Sequence, residues 1–183
     1  MTDLTTLAQW APGLGVIGLL GALVLYLYRT MKPRVAQLGR HSDGTLRDVK
    51  VHTHLATSSK VVVIRFDGSL YFANIAHFED AVLGALADHR EALYFLIVGD
   101  AINSIDSSGE EMLHNLVAQL HQAGVEIVFS GLKKQILDVM RTTGLFTFVG
   151  EHNIFSTEDQ ALAAIADRLG EEERCNALFC RVT

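Results

Sequence analysis

The sequence predicts an α/β domain with a parallel or mixed sheet and flanking helices, preceded by one N-terminal transmembrane helix. Two patterns support this fold class: an uncharged apolar run over Gly13–Tyr28, and an alternation of strand-like and helix-like segments over residues 58–169. The 183 residues have room for one ordinary domain plus an appendage. The mean hydropathy of +0.25 is above the range usual for a soluble domain, because apolar residues are concentrated near the N-terminus.

Composition excludes several classes of protein. The 15 Lys and Arg residues against 21 Asp and Glu residues give a net charge of −6, which argues against a nucleic-acid binder held by phosphate contacts. With 15 glycines and two prolines, collagen-like and disordered chains are also excluded. Both cysteines, Cys175 and Cys180, lie near the C-terminus, so we expect neither a disulfide framework nor a four-ligand zinc site.

The apolar segment Leu7–Tyr28 has the length of a membrane span. At ~1.5 Å rise per residue it extends about 33 Å, against a hydrocarbon core of about 30 Å. Trp10 at one end and Tyr26 and Tyr28 at the other would lie at the two interfaces, and Pro12 suits the first turn of a helix. We therefore expect residues 7–28 to cross the bilayer once.

The charges that flank this segment exclude a signal peptide and predict its orientation. Asp3 precedes the apolar core and basic residues follow it, which is the reverse of the order in a signal peptide. The absence of a polar face excludes an interfacial helix and makes a buried core helix the weaker alternative. By the positive-inside rule, everything after Tyr28 faces the cytoplasm, with the helix in the inner or plasma membrane. The basic residues are Arg29, Lys32, Arg34 and Arg40.

Small residues form a stripe along the same helix. Gly15, Gly18 and Gly21 recur at every third position, and Gly13 precedes them. Such a stripe lets another helix approach closely in the bilayer. We expect these three glycines to pack against other membrane helices. Whether the chain also forms a homodimer, through this helix or through its domain, stays open.

Residues 29–57 are predicted to form a juxtamembrane connector. Pro33, Gly39 and Gly44 interrupt regular structure there, and the stretch is polar and basic. The domain then begins at residue 58, and its first strand is the β-branched run over 60–67.

Strands and helices alternate through the next part of the chain. A short extended piece over 69–74 is followed by a helix over 76–90, with apolar residues at helical spacing. The fully apolar run 93–98 is typical of a strand in the middle of a sheet. Residues 107–123 form an amphipathic helix that ends at a glycine, and 125–130 form the next strand.

The last elements continue the alternation. A helix is predicted over 132–143, and a short strand over either 146–149 or 153–155. The final helix spans 157–169, and residues 170–183 form a polar tail. Because strands and helices alternate, we expect right-handed crossovers between parallel strands.

The loop Gly99–Gly109, with the sequence GDAINSIDSSG, is the best candidate for a functional site. It leaves a buried strand and opens a helix, which is where doubly wound sheets bind ligands and partners. Asp106 is a good N-cap, and Ser107 and Ser108 lie in the first turn, where the positive helix end would stabilise an added phosphate. The alternative is that Asn103, Asp106 and Ser107 only turn and cap the chain.

Other polar side chains are weaker candidates. They are the pairs His52 with His54, His114 with His121, and Lys133 with Lys134. The histidines lack the carboxylate and cysteine neighbours of a metal site, and the lysines lack a glycine-rich phosphate loop. The sequence shows no pattern that pairs a nucleophile with a base, so we expect no catalytic residues and no enzyme activity. We also expect no metal and no cofactor.

The span Val61–Leu169 resembles a STAS domain, the fold shared by bacterial anti-sigma-factor antagonists and the cytoplasmic tails of SulP-type anion permeases. Within it, the residues IDSSG over Ile105–Gly109 are similar to the D-S-S/T-G loop of the antagonists, in which the first serine is phosphorylated. The resemblance implies that role for Ser107. The stretch Gly131–Phe146 resembles the helix and turn that follow the fourth strand of the same family.

The N-terminal half resembles the permeases. An apolar helix that runs into Leu27–Asp48, followed by Leu70–Asn74, is similar to the junction between the last SulP membrane helix and its STAS domain. Free-standing antagonists have no such helix. The resemblance covers nearly the whole chain except the tail after Leu169.

This resemblance implies a cytoplasmic regulatory domain with the last membrane helix of a sulfate- or bicarbonate-type permease. The implied partners are the bilayer, a SulP-type transport core or its other half, and a cytosolic regulatory protein. One helix cannot enclose a transport path, so this chain alone is not expected to transport. The alternative is a membrane-tethered switch of the antagonist type, in which phosphorylated Ser107 repels a partner by adding about −2 charge.

Overall fold

The computed structural model describes residues 4–170 and residue 178, with side chains from Gly15 onward. The chain divides into two compact units, Met1–Pro33 and Arg34–Thr183.

The first unit is a single helix, α1, over Leu4–Met31. The large apolar side chains from Val16 to Tyr28 are exposed within this unit, and Lys32 Nζ lies 5.3 Å from the centre of the Tyr28 ring. Among the residues that the structure describes, no helix is both long enough and apolar enough to cross a membrane. The predicted span over 7–28 begins in residues 7–14, whose side chains lie outside the described set.

The second unit is built on one six-stranded sheet in the order β2-β1-β3-β4-β5-β6. β3, β4, β5 and β6 are parallel, whereas β1 runs antiparallel to both of its neighbours. The predicted mixed sheet is therefore confirmed. The strands are β1 Arg34–Arg40, β2 Leu46–Asp48, β3 Val61–Asp67, β4 Tyr94–Val98, β5 Glu126–Ser130 and β6 Ile154–Phe155.

Helices cover both faces of this sheet. They are α2 Ile75–Asp88, α3 Ser107–Gln122, α4 Lys134–Thr143, α5 Leu145–Val149 and α6 Glu158–Leu169, with one 3₁₀ turn over Glu151–Asn153. α2 to α5 pack on the face that carries Val62 and Ile64, and α6 packs on the face that carries Val61 and Val63. Because both faces are buried, the central strands are apolar at successive positions. Leu178, from the predicted polar tail, is buried on the α6 face.

The predicted connector over 29–57 contains a β-hairpin, which corrects that expectation. β1 and β2 lie within it, and β1 pairs with β3 over four residues from Arg34 to Gln37. Of the predicted breakers, Gly44 forms the turn of the hairpin, with a φ of +85°, and the Asp43 carboxylate accepts the Thr45 N–H at 3.0 Å. Gly39 lies within β1 and pairs with Arg47. Ala36 and Leu38 are buried, so the hairpin is held by the core.

Two further segments differ from the prediction. Residues 69–74 form a turn, in which Asn74 Nδ2 donates to the Ser69 carbonyl at 2.7 Å, and only Leu70 keeps an extended pairing. Of the two candidates for the last strand, 146–149 is helical in α5, because Leu145 and Val149 bury one face four residues apart. The strand is β6, within the other candidate, 153–155.

Candidate functional site

The candidate loop over 99–109 is joined to the loop that follows β3. Leu70 and Ile105 form an isolated parallel bridge. The Leu70 N–H donates to the Ser104 carbonyl at 3.0 Å, and the Asp106 N–H donates to the Leu70 carbonyl at 3.1 Å. Both loops leave the carboxyl ends of neighbouring parallel strands, so the sheet brings them to the same edge. The start of α3 is consequently held in place by backbone hydrogen bonds.

Asp106 is the N-cap of α3, as the sequence predicts. Its Oδ1 accepts the Gly109 N–H at 2.8 Å, and its Oδ2 accepts the Phe72 N–H at 3.0 Å. The first contact satisfies one of the free N–H groups at the helix end. The second contact, which the sequence does not reveal, lets one carboxylate fix two loops.

The two serines that follow Asp106 differ in exposure. Ser107 is exposed and Ser108 is half-buried, whereas Gly109 is buried. Within the described part of the chain, the Ser107 hydroxyl has no hydrogen-bond partner. Ser107 is therefore the accessible hydroxyl of this turn, at the positive end of a 16-residue helix.

Asn103 connects the candidate loop to the start of α4. Its Oδ1 accepts from Lys133 Nζ, and its backbone carbonyl accepts from Gln135 Nε2. Its own Nδ2 donates to the Ala101 carbonyl at 3.2 Å. The sequence singles out Lys133 as a weaker candidate but reveals neither contact, because both join residues far apart in the chain. Asn103 thus positions the loop.

Gly109 is needed because the backbone of Leu70 passes close to α3. A Cβ atom at Gly109 would lie 2.9 Å from the Leu70 carbonyl oxygen and 3.1 Å from its carbonyl carbon. Since the obstacle is backbone, Gly109→Ala forces the two segments apart. We expect a loss of about 2 kcal/mol in the free energy of unfolding, measured by urea denaturation of the full chain.

Gly84→Ala is the matched control for this change. Gly84 is exposed in α2, and no atom lies within 4 Å of its added Cβ. Alanine is favoured over glycine in a helix by about 1 kcal/mol, so this variant is expected to be as stable as the parent or more so. Equal stability of the Gly109→Ala and Gly84→Ala proteins would contradict the proposed close approach.

Asp100, at the end of β4, has a perturbed carboxyl that the sequence does not reveal. The pKa of Asp100, which is an exposed residue, is raised to about 6, chiefly because nearby protein atoms reduce the hydration of its carboxylate. Glu158 raises it further through a hydrogen bond and like charge, whereas Arg65 and Lys133 lower it. The carboxyl packs against Gly131, where an added Cβ would collide with it. Asp100, Glu158 and Arg65 also line a cavity of about 320 Å³.

The raised pKa of Asp100 predicts a pH-dependent effect of Asp100→Asn. The native state holds this proton more tightly than the unfolded chain, so ionisation costs stability as the pH rises from about 4 to about 6. We expect the free energy of unfolding of Asp100→Asn, relative to that of the parent, to be about 1 kcal/mol higher at about pH 7.5 than at about pH 4, after allowance for solvent screening. Urea denaturation at both pH values measures this gain, and Asp80→Asn, at an exposed position on α2, is the control. An Asp100→Asn gain that is the same at both pH values would contradict the assignment.

The weaker candidates do not form a metal site. His52 and His54 are exposed, and the rings of His114 and His121 lie 5.2 and 6.1 Å from that of Phe148. Across the described residues, no three His, Cys, Asp or Glu side chains are placed to hold a metal ion. Cys175 and Cys180 lie outside the described residues. The glycines of α1, Gly15, Gly18 and Gly21, have open space where a Cβ would stand, and their role in helix packing stays a prediction.

The fold and the site define a mixed-sheet α/β domain that presents an exposed serine at an N-capped helix end. The chain belongs to the STAS domain family, whose model matches residues 52–161.

Known proteins with related sequence or fold include sulfate and anion transporters, STAS domains of transporters, and anti-sigma-factor antagonists. The chain is 28% identical over 151 residues to "Probable sulfate transporter 4.2" of Arabidopsis thaliana, covering 76% of this chain and 22% of the relative. Its fold is similar to the murine Solute Carrier 26 family member A9 anion transporter, with a TM-score of 0.71 and 17% identity over 82% of this chain and 25% of that one. The SulP transporter STAS domain of Vibrio cholerae gives a TM-score of 0.53 and 19% identity, covering 66% of this chain and 92% of that one.

The chain spans about a quarter of the length of the sulfate transporters that it matches. The part that it shares with them includes the STAS domain.

Proposed function

We propose that this chain is the C-terminal, regulatory part of a SulP-type anion permease, with sulfate as the first anion to test. The extent of the sequence similarity supports this proposal best. The alignment with the Arabidopsis relative runs over 151 residues, which is longer than the segment 52–161 that defines the domain. In this role the chain binds and controls a transport core and performs no chemistry of its own.

The proposal assigns residues 7–28 to the last membrane helix, with a single pass in this chain. The uncharged apolar sequence supports this assignment, as do the exposed apolar side chains of α1 from Val16 onward. Arg29 and Lys32 follow the apolar run, so the positive-inside rule places the domain in the cytoplasm. Extraction of membranes with alkaline carbonate tests the assignment: a spanning helix stays in the pellet, and release of the chain contradicts it.

The stripe of Gly15, Gly18 and Gly21 is then the face that packs against the transport core. Each glycine has open space at its Cβ position, so a neighbouring helix is free to approach the α1 backbone. The transport core, in the same protein or in a second one, supplies the transport path. The bilayer is the second partner.

In this proposal the loop with Asn103, Asp106, Ser107, Ser108 and Gly109 is the regulatory contact of the domain. Ser107 is exposed and its hydroxyl is accessible, whereas the other loop residues hold the turn in place. Phosphorylation of Ser107 would add about −2 charge at this point and change the binding of a cytosolic partner. The alternative, a membrane-tethered switch of the antagonist type, uses the same serine and needs no transport core.

Sulfate uptake distinguishes the two functions. We would sequence the DNA upstream of the Met1 codon and measure uptake of radiolabelled sulfate in cells with the gene intact or deleted. A reading frame with several apolar segments, together with reduced uptake after deletion, supports the permease. Unchanged uptake of sulfate and of bicarbonate overturns it in favour of the tethered switch. A Ser107→Asp variant in the same cells tests whether the serine regulates transport.

A further inference from the structure

An open groove between α2 and α3 lies next to the candidate loop. Its volume is about 290 Å³, and its lining residues are Ile75, Glu79, Ser108, Glu111, Met112 and Asn115. We call it the α2–α3 groove. Ser108 belongs both to this groove and to the loop, so an occupant of the groove would contact the first turn of α3.

The α2–α3 groove combines an apolar surface with unpaired negative charge. Met112 is buried and Ile75 is half-buried, which gives the groove an apolar wall. Within the described residues, the carboxylates of Glu79 and Glu111 form neither an ion pair nor a hydrogen bond. Among the residues that the structure describes, no cationic side chain lines the groove. Its own charge is therefore uncompensated.

An exposed aromatic side chain lies on the loop that leads into α2, just before the groove residue Ile75. Phe72, three residues before Ile75, is 73% exposed, although its backbone N–H is held by the Asp106 carboxylate at 3.0 Å. Its ring packs only edge-on against Tyr71, with the ring centres 6.0 Å apart. A large apolar side chain on a fixed backbone, next to an apolar groove, is typical of an anchor for a partner.

We propose that the α2–α3 groove binds a basic amphipathic helix of a partner protein. The apolar face of that helix would contact Phe72, Ile75 and Met112, and its Lys or Arg side chains would pair with Glu79 and Glu111. A helix suits a groove between two helices, where no strand edge is available for an added strand. The two carboxylates would repel an anionic membrane surface or a nucleic acid. This inference rests on the proposed function of the domain as a regulatory contact and specifies its partner.

A basic partner also determines the sign of a regulatory modification. A phosphate on Ser107 would lie one residue from Ser108, within the range of about 8 Å over which charges act at physiological salt. It would add to the negative charge of Glu79 and Glu111 and strengthen the binding of a basic helix. This direction is opposite to the repulsion expected for an antagonist-type switch.

The test is a binding measurement with the full chain in a lipid nanodisc of neutral lipid. The probes are a fluorescent amphipathic peptide of leucine and lysine, and its counterpart of leucine and glutamate. We expect the lysine peptide to bind and the glutamate peptide not to bind. Glu79→Lys with Glu111→Lys should weaken the lysine peptide about ten-fold or more, and Phe72→Ser should also weaken it without a change in charge.

The matched control is Asp88→Lys with Glu91→Lys. It makes the same change in net charge at two exposed carboxylates on the opposite edge of the sheet, between α2 and β4. We expect binding within about two-fold of the parent, because the groove is intact. The amount of peptide adsorbed to the lipid or to α1 would be the same in all variants. The difference in affinity between the two charge-reversal variants therefore measures binding to the groove. Circular dichroism checks that each variant is folded.

Several outcomes would overturn the proposal. They are no binding of the lysine peptide, equal binding of both peptides, or equal loss in the two charge-reversal variants. The proposal is also overturned if a second copy of the chain occupies the groove. In that case the chain would self-associate, Glu79→Lys with Glu111→Lys would abolish the association, and the peptide would not compete with it. Weaker binding by Ser107→Asp would overturn the predicted sign. If sulfate uptake depends on the chain but the peptide does not bind, the groove assignment fails and the transport function stands. If the peptide binds but uptake does not depend on the chain, only the transport function is rejected.

Discussion

Asp159→Ala is expected to destabilise the domain by about 3 kcal/mol, because it removes the carboxylate that neutralises a buried guanidinium. Arg40, at the end of β1, is only 4% exposed, and its Nη2 donates to Asp159 Oδ1 at 2.9 Å. Its Nη1 donates to the Gly44 carbonyl at 3.3 Å, and its Nε has no hydrogen-bond partner among the described residues. Without Asp159, a cation is left buried with one long hydrogen bond.

The double variant Arg40→Met with Asp159→Ala separates this explanation from a simple loss of packing. The Arg40 side chain is buried, whereas that of Asp159 is 43% exposed. Removing both charges leaves no buried cation without its partner, so the double variant should recover most of the stability lost by Asp159→Ala. Urea denaturation of the full chain, followed by circular dichroism, measures all three proteins. A double variant that is less stable than Asp159→Ala would contradict the electrostatic explanation.

Phe78→Ala is expected to cost about 4 kcal/mol, the larger of the two effects. Phe78 and Val82 are the buried residues of α2, and the Phe78 ring meets Phe66 of β3 edge-on at 4.9 Å between ring centres. Alanine removes this contact and leaves a cavity where α2 packs against the sheet. Since a domain of this size has a total stability of about 5–15 kcal/mol, the variant should unfold at a much lower urea concentration.

Phe72→Ala is the control for Phe78→Ala. It makes the same chemical change at a side chain that is exposed, so the free energy of unfolding should change by less than about 0.5 kcal/mol. If Phe72→Ala and Phe78→Ala lowered the free energy of unfolding equally, the conclusion that Phe78 packs α2 against the sheet would be contradicted.

The parts of the fold predicted from the sequence are those set by local patterns. The runs that form β3, β4 and β5 are short and apolar at successive positions, as expected for strands buried on both faces. Asp106 was predictable as an N-cap, because capping depends on residues within one turn. By contrast, the breakers Pro33, Gly39 and Gly44 favour a linker, and only pairing with the sheet shows that Gly39 and Gly44 belong to a hairpin.

The sequence predicts only those residues of the candidate site that are neighbours in the chain. The sequence identifies Asn103, Asp106 and the serines because they are neighbours in one loop. It does not identify Phe72 as a partner of Asp106, nor the contact of Asp100 with Gly131, because loops from different strands supply these residues. The sheet brings them together, and no local pattern encodes that proximity.

The shared carboxylate of Asp106 has a consequence for local opening. Because Oδ1 holds the amide of Gly109 and Oδ2 holds the amide of Phe72, a rotation of this one side chain releases both amides. The first turn of α3 and the loop after β3 therefore form one cooperative unit, and their amide protons should exchange with deuterium at a common rate. A partner that binds Phe72 would slow hydrogen exchange at the Gly109 amide without contacting it. A modification of Ser107 would likewise change hydrogen exchange at the Phe72 amide, through the Asp106 carboxylate.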